Sequence, residues 1–173
     1  GVKFTYLVIP GIIPEQVMDI ASWVKSMRTV RRIMVKAVLP NCAADNEGVV
    51  NFTNSLIRAS NGKTYTAAQY CSRVAGILAG TPMTISATYA PLSELVEVEA
   101  ETKEERDARV ARGEFFFFSD LQKIKVARAV NSFVTTIQGK GDDFKFCKIM
   151  EILDMIHDDI KETCHDSYIG KYA

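Results

Sequence analysis

The tripeptide Gly62-Lys63-Thr64, just before a predicted helix, is the part of the sequence nearest to nucleotide chemistry. A phosphate-binding loop requires another glycine five positions before its Gly-Lys pair, so that backbone amides can wrap around the phosphate. Position 57 holds Ile57, and no glycine stands between it and Gly62. The Asn61-Gly62 pair favours a tight hairpin turn instead, since both residues tolerate positive φ. We therefore expect a hairpin here.

The acidic end of the last predicted helix is the second candidate for chemistry. The possible ligands are Asp154, His157, Asp158, Asp159, Glu162, Cys164 and His165. Asp154 and Asp158 are four residues apart, so a helix places them on one face beside His157. The segment lacks the His-x-x-x-His spacing that places two strong metal ligands on one helix face. We therefore expect a solvated acidic face and no metal.

Four cysteines complete the set of reactive residues: Cys42, Cys71, Cys147 and Cys164. None forms a Cys-x-x-Cys pair, and free thiols in a reducing compartment are expected. Cys71 and Cys147 fall on apolar helix faces, which predicts small buried side chains. No arrangement supplies a nucleophile, a base and an oxyanion donor together. The sequence thus predicts no catalytic, cofactor-binding or metal-binding residue.

The single tryptophan, Trp23, lies beside the apolar stripe of the first predicted helix. Aromatic residues of this kind can anchor a partner protein. A lone tryptophan next to an apolar stripe is more often part of the core, and we expect Trp23 to be buried.

The balance of charge limits the possible partners. The sequence has 21 basic and 21 acidic residues, so its formal net charge is zero. Nucleic-acid-binding domains usually carry a basic face, and we expect no nucleic-acid partner. No apolar run approaches the ~18 residues that a membrane helix requires, so we expect no membrane partner. Close packing of many copies is electrostatically permitted.

Hydrophobic periodicity and turn signals predict both helices and strands. Helices are predicted over 14–28, 66–79, 102–113 and 143–165, the second and third opened by the capping boxes Thr66/Gln69 and Thr102/Glu105. Strands are predicted over 4–9, 31–39, 48–53, 84–89, 115–118, 124–127 and 132–137, while 92–100 is ambiguous.

Four details of these elements carry further expectations. Gly80 is expected to end the second helix in a left-handed conformation. The third helix, with an i,i+4 pair between Glu105 and Arg109, is expected to be solvated and peripheral. Four consecutive phenylalanines at 115–118 predict one central strand buried on both faces. The apolar stripe of the last helix is expected to follow Phe144, Cys147, Met150, Leu153, Ile156 or His157, Ile160 and Cys164.

These elements predict an α/β fold, with α+β as the open alternative. A mixed β-sheet carries helices packed on it, and a long helix lies at the C-terminal end. On the residues alone, the chain is a globular domain without an evident catalytic set. A small nucleotide-binding enzyme and a generic protein-interaction module remain the alternative functions.

A series of short segments spread along nearly the whole chain carries a family resemblance. They are AGILAGTPMTISATY at 75–89, residues 91–95, 6–10 with Trp23, 38–41 with Asp45, 50–52, 129–135, 154–156 and 168–171. In their order along the chain, these segments resemble the tail sheath proteins of contractile-tailed bacteriophages. The resemblance is strongest to the Gram-positive prophage type, which includes phage-tail-like bacteriocins.

The resemblance implies a structural, non-catalytic building block without a cofactor. Sheath subunits assemble with other copies of themselves as six-membered rings around a tail tube protein. A baseplate triggers contraction, which drives the tube through a cell envelope. Terminal extensions add strands to neighbouring sheets, by main-chain hydrogen bonding. The expected location is a virion tail sheath or a phage-tail-like particle, made in the bacterial cytoplasm.

The family also implies a division of the chain. Residues 1–140 would be the sheath core α/β domain, and 141–173 the start of a truncated C-terminal sheath domain with the long helix. Family members are roughly twice as long, so we expect this chain to be a piece of a longer protein. The particle it belongs to and the face that meets the tube are left open.

Overall fold

The computed structural model describes residues 6–82, 84–121, 123–135 and 142–164. Within these ranges the helices are α1 (Pro14–Thr29), α2 (Ala67–Gly80), α3 (Lys103–Ala111) and α4 (Cys147–Cys164), the last preceded by a 3-10 turn at Asp142–Lys145. The strands are β1 (Ala37–Pro40), β2 (Val49–Phe52), β3 (Ile57–Ala59), β4 (Thr64–Tyr65), β5 (Leu95–Val98), β6 (Glu114–Phe115), β7 (Phe117–Asp120) and β8 (Lys123–Val126).

A parallel sheet with the order β1-β2-β6 lies between helices α1 and α2. Successive side chains of a strand point to opposite faces of its sheet. Leu39 and Val49 pack in the apolar cluster that contains α1. Val38 and Val50 pack in the cluster that contains α2. Because both faces are buried, β1 and β2 read as continuous apolar runs rather than as alternating ones.

Two smaller antiparallel sheets extend this core. One has the order β4-β3-β5, and the other is the β7-β8 pair. The buried apolar side chains of both sheets join the α2 cluster. The fold is therefore α+β, which confirms the predicted class in its second form. Parallel strand pairs lie in the β1-β2-β6 sheet, and antiparallel strand pairs lie in the two smaller sheets.

The prediction of one central strand through all four phenylalanines is wrong. The chain leaves the parallel sheet after Phe115 and enters the antiparallel pair at Phe117. Phe115, Phe116 and Phe117 are fully buried, but Phe118 is partly exposed. Asn54 bridges the break, because its Oδ1 accepts from Phe117 N at 2.7 Å and its Nδ2 donates to Phe117 O at 3.1 Å. The aromatic run thus joins two sheets.

Helix α1 confirms the predicted first helix, with Pro14 in its first turn. It buries Val17, Ala21 and Val24 against the parallel sheet. The expectation that Trp23 is buried is wrong, since its side chain is 41% exposed. A residue next to Val24 lies about 100° further around the helix, which takes Trp23 off the buried face.

Both predicted capping boxes are present. Thr66 Oγ1 accepts from Gln69 N, and Gln69 Oε1 accepts from Thr66 N. Thr102 and Glu105 exchange the same two bonds at the start of α3. Each box satisfies backbone donors that the first helical turn would otherwise leave unpaired.

The predicted left-handed cap at Gly80 is wrong. Helix α2 includes Gly80, and Thr81 ends the helix in an extended conformation. Thr81 precedes Pro82, and a residue before proline is disfavoured in helical geometry. The proline therefore determines where α2 ends.

The strand predicted over 84–89 is wrong. Ile85 N donates to Pro82 O at 3.1 Å, which closes a turn. Tyr89 has a φ of 63°, a left-handed conformation that a strand does not contain. Neighbouring residues 92–100, which were ambiguous, contain β5.

Residues 132–135 form no strand, contrary to the prediction over 132–137; residues 136 and 137 lie outside the described residues. Ser132 N donates to Val49 O at 2.8 Å. The amides of Val134 and Thr135 donate to Asp45 Oδ1 at 2.7 and 2.9 Å. A loop carboxylate thus satisfies this backbone in place of a neighbouring strand.

The strands predicted over 4–9 and 31–39 are shorter than expected. Residues 4 and 5 lie outside the described residues, and the described part of the first makes one parallel bridge, between Leu7 and Ala37. Residues 31–36 are irregular, with Arg32 at a φ of 57°. The predicted strands at 48–53 and 124–127 are confirmed as β2 and β8.

Helix α3 is solvated over most of its length, as predicted, but it is docked to the core by one buried residue. Arg109 is only 9% exposed, and its Nη1 lies 3.0 Å from both carboxylate oxygens of Glu101 and 3.3 Å from Glu99. Its Nε donates to Glu114 at 3.2 Å. The predicted pair with Glu105 does not form, because Glu105 caps the helix instead. One arginine therefore docks α3 through several carboxylates.

Replacing Arg109 with alanine is expected to destabilise the protein by at least ~3 kcal/mol, because Glu99, Glu101 and Glu114 would lose their common cation. Urea unfolding measures this change. Arg58→Ala is the matched control, since its pair with Glu97 is half exposed and should contribute less than ~1 kcal/mol. An unchanged urea midpoint for the Arg109 variant would mean that α3 is peripheral after all.

Candidate functional site

Helix α4 is the element in which the residues on the buried and exposed faces differ most from those predicted from the sequence. Its buried face consists of Cys147, Met150, Glu151 and Asp154, at positions i, i+3, i+4 and i+7. That spacing defines a single helical face. Half of the face is acidic, so the helix is held by polar contacts as well as by apolar ones.

The predicted apolar stripe of this helix is wrong beyond Met150. Leu153 and Ile156 are exposed, and Ile160 is 59% exposed. The predicted stripe places its residues mainly three positions apart. Three residues turn a helix by about 300°, which is about 60° less than a full turn. Ile156 consequently lies about 180° around the helix from Cys147. The stripe winds from the buried side of α4 to its outer side.

Asp154 is held by two cations that sequence reasoning did not place near it. Arg28 Nη1 and Nη2 donate to its two carboxylate oxygens, each at 3.0 Å. Lys36 Nζ donates to the same carboxylate at 3.3 Å. Asp154 is 5% exposed, so these charges interact away from water. Two parallel bonds from one guanidinium fix both the position and the rotation of the carboxylate.

The side chain of Arg28 is in turn positioned by the backbone of Gly48, which passes close to it. Its Nη1 donates to Val35 O at 3.2 Å, which joins the end of α1 to the segment before β1. Gly48 passes directly beneath it, because a Cβ atom there would lie 2.5 Å from Arg28 Cδ and 2.9 Å from Val24 Cγ1. Only glycine leaves room for this guanidinium to reach α4.

Glu151 forms the second polar anchor of α4. Tyr6 donates to its Oε1 at 2.7 Å, and Lys148 Nζ lies 2.6 Å from its Oε2. Lys148 also donates to Thr81 O at 3.3 Å, which ties α4 to the end of α2. Burial, together with the nearby Cys147 and Glu151, raises the pKa of Tyr6 well above its usual range. Tyr6 therefore stays protonated and able to donate.

The outer face of α4 is apolar and exposed to solvent. It presents Leu153, Ile156 and Ile160, with Met155 exposed on the flank. These side chains follow one side of a helix whose opposite side is fixed by Arg28 and Tyr6. Contiguous exposed apolar surface of this kind is characteristic of interaction sites.

The Gly62-Lys63-Thr64 segment forms the predicted hairpin between β3 and β4. Gly62 has a φ of 82°, and its amide donates to Ala59 O at 3.0 Å inside the turn. Ile57 is buried in β3. The geometry is that of a β-turn, whose amides bond within the turn instead of surrounding a phosphate.

Cys71 and Cys147 are buried, as predicted, and Cys42 is buried as well. Burial raises the pKa of the Cys71 thiol to about 12, and burial also raises the pKa of Cys147. Protonated thiols are poor nucleophiles and poor metal ligands. The side chain of Cys164 lies outside the described residues.

The acidic end of α4 is only partly the solvated face that was predicted, because Asp154 is buried. His157 Nδ1 lies 3.6 Å from Asp158 Oδ1. In the part of the chain that the structure describes, no three histidine, cysteine or acidic side chains are grouped as metal ligands would be. His165 lies outside the described residues. None of the described helices has the length and apolarity needed to cross a membrane.

Arg28, Lys36 and Tyr6 are the residues that sequence reasoning missed. The one available signal was on α4, where Cys147, Met150 and Asp154 share a regular i, i+3, i+7 face. An acidic residue on such a face requires a buried cation. Which cation it meets depends on tertiary contacts across more than a hundred residues.

Replacing Asp154 with asparagine should destabilise the protein by about 3–5 kcal/mol, because Arg28 and Lys36 would be left buried without their anion. Asp158→Asn on the same helix is the control and should cost less than ~1 kcal/mol, since its side chain is 36% exposed. Chemical denaturation of both variants measures the difference. Two equally stable variants would contradict the buried anchor.

Gly48→Ala is expected to act on the same anchor from the other side. The added methyl group must displace Arg28, which should cost about 1–3 kcal/mol. Gly76→Ala is the matched control, because a Cβ atom at Gly76 meets nothing within 4 Å. In a helix interior that exchange should stabilise the protein by roughly 0.5–1 kcal/mol. Thermal unfolding distinguishes the two signs, and a stabilising Gly48→Ala would refute the close approach.

The chain was compared with known proteins. Residues 1–132 match the model of the phage tail sheath protein central domain. The tail sheath protein of Clostridium phage phiCD119 is 38% identical over 171 residues, which cover 99% of this chain and 48% of that protein. This chain thus spans about half the length of that curated relative.

Solved structures of sheath proteins share the fold. The sheath tail protein from Desulfitobacterium hafniense superposes with a TM-score of 0.87 at 27% identity, over 95% of this chain and 40% of that one. The helical sheath of the anti-feeding prophage in its contracted state gives a TM-score of 0.66 at 14% identity, over 93% of this chain and 46% of that one. With the match of 132 residues to the family model, the chain belongs to the phage tail sheath protein family, in the region of its central domain.

Proposed function

We propose that this chain is the core of a structural subunit of a contractile tail sheath. Copies of the whole subunit assemble as six-membered rings stacked around a tail tube. Contraction, triggered at a baseplate, drives the tube through a cell envelope. The subunit acts in the tail of a virion or of a phage-tail-like particle.

One observation carries this proposal: 99% of the chain aligns at 38% identity with a protein described as a tail sheath protein. The likeness in fold to a sheath solved in its contracted, helical form supports an assembled role. The exposed apolar face of α4 is consistent with it, because a face of this kind is typically covered by another domain or another subunit.

We propose that residues 1–140 form the sheath core and that 141–173 begin a second sheath domain. The family match over 1–132 supports a boundary close to this point. The polar anchors of α4, through Asp154 and Glu151, support a helix that bears on the core while belonging to another layer of the subunit.

We further propose that the chain has no catalytic activity of its own. The hairpin geometry around Gly62 and the raised pKa of Cys71 support this, since neither residue is poised for phosphate binding or nucleophilic attack. The buried charges at Asp154 and Arg109 are paired with opposite charges in structural contacts.

Electron microscopy of a longer protein that contains this chain tests the assembly. The protein, expressed alone at a range of salt concentrations, is expected to form tubes or rings with six-fold symmetry. A protein that stays monomeric at every salt and crowding condition would contradict the sheath function. Asp154→Asn in the same protein should reduce the yield of ordered tubes, because the rotation of α4 is no longer fixed.

Nucleotide addition tests the absence of phosphate chemistry. Millimolar ATP or GTP should leave the melting temperature of the chain unchanged, because only a ligand that binds the native state raises it. Lys63→Ala serves as the control for weak charge effects at the hairpin. A saturable shift of several degrees that Lys63→Ala removes would replace the structural role with a nucleotide-binding one.

A further inference from the structure

A basic groove lies beside α3 and near the start of α4. The groove has a volume of about 390 Å³. Its cations are Lys103, Arg106, Arg128 and Lys145, and Asp107 is its one carboxylate. On a chain with a net charge of zero, this is a marked local excess of positive charge.

The cations of the groove lack carboxylate partners within the described part of the chain. Arg28, Arg73 and Arg109, by contrast, each lie within 4 Å of a carboxylate. In the groove, Arg106 stacks 5.0 Å from the ring centroid of Phe118. Arg128 lies 5.9 Å from the centroid of the Phe146 ring. Cations held on aromatic rings remain available to an external anion.

The groove is also partly apolar. Tyr89, Phe118 and Val110 contribute to its walls, and Tyr89 is exposed. A matching ligand would combine apolar side chains with carboxylates. A small inorganic anion would leave the apolar walls uncovered, so the groove favours a peptide segment.

The outer end of α4 has this combination of side chains. Beyond Asp154 the helix carries Asp158, Asp159 and Glu162 against the single cation Lys161. Asp159 and Glu162 are exposed, next to the exposed apolar Ile156 and Ile160. The segment is therefore acidic and apolar where the groove is basic and apolar.

One molecule cannot bring these two surfaces together. Lys145 of the groove precedes α4, and Ile160 lies about 20 Å further along the helix axis from Cys147. A continuous helix does not fold back over that distance. The two surfaces can meet only between separate copies of the chain.

We propose that the outer end of α4, over residues 155–162, docks into the basic groove of a second copy. The contact is heterologous, because different surfaces of the two copies meet. Heterologous contacts generate rings when the rotation closes and helical filaments when it does not. The proposal rests on the proposed sheath function for its biological setting and names the surfaces that join two subunits.

Charge reversal with a mixing step tests this contact. Lys103→Glu with Arg128→Glu reverses the groove, and Asp159→Lys with Glu162→Lys reverses the helix. The new charges at positions 103, 159 and 162 suit the dipoles at the start of α3 and the end of α4, and Arg128 is exposed in a loop, so both variants should fold. Lys25→Glu with Lys63→Glu is the control, with the same change in charge at exposed sites elsewhere.

Sedimentation equilibrium at concentrations up to about 1 mM provides the measurement. The unmodified chain is expected to associate weakly, and association should fall roughly tenfold between low and high salt because the charges are exposed. Each reversed variant should be monomeric. An equimolar mixture of the two variants should associate again, because the intact acidic helix of the groove variant can meet the intact basic groove of the helix variant.

The control variant should associate like the unmodified chain. A chain that remains monomeric at every concentration, or reversed variants that associate as strongly as the control, would overturn the proposed contact. So would a mixture of the two variants that stays monomeric while circular dichroism shows both folded. Tubes formed by the longer protein would still support the sheath function in that case, so the two failures are distinguishable.

Discussion

The bidentate pair between Arg28 and Asp154 determines which side of α4 faces the core. An apolar anchor could tolerate a small rotation of the helix, because dispersion contacts are individually weak and not directional. Two parallel hydrogen bonds at 3.0 Å from one guanidinium cannot tolerate such a rotation, since the rotation would break both bonds and leave buried charges unpaired. Tyr6 and Lys148 repeat the constraint at Glu151, one turn earlier.

The consequences of this pair extend in two directions. Toward the core, Arg28 requires glycine at position 48 and ties α1 to the irregular segment before β1. Toward solvent, it forces Ile156 and Ile160 to the outside. The apolar residues that would ordinarily seat a helix are thus exposed on the opposite side of α4.

Sequence reasoning succeeded where the structure depends on local chemistry. The capping boxes, the Asn61-Gly62 hairpin and α1 follow from side-chain bonding and backbone preference within a few residues. It failed where a contact with a residue distant in sequence determines the local structure. Arg109 has an i,i+4 neighbour that suits it, yet three carboxylates from other segments compete more strongly. The aromatic run was read correctly as buried, but nothing local indicates that the chain changes sheets between Phe115 and Phe117.

The family resemblance belonged to neither category. It rested on segments spread over the chain, and the match to the sheath family confirms it. The placement of the long helix was also correct, but its orientation was not, because Asp154 was expected on the solvated side. Its cations, Arg28 and Lys36, lie 126 and 118 residues away in sequence, at positions that periodicity does not reveal.

Cysteine labelling tests most directly which side of α4 faces outward. In a Cys164→Ser background, the remaining native thiols Cys42, Cys71 and Cys147 are buried. Ile156→Cys should react with a maleimide in the native state at a rate close to that of the unfolded chain. Cys147, on the opposite side of the same helix, should react only after global unfolding. Protection of the Ile156→Cys thiol to the same degree as Cys147 would contradict the orientation imposed by Arg28 and Asp154.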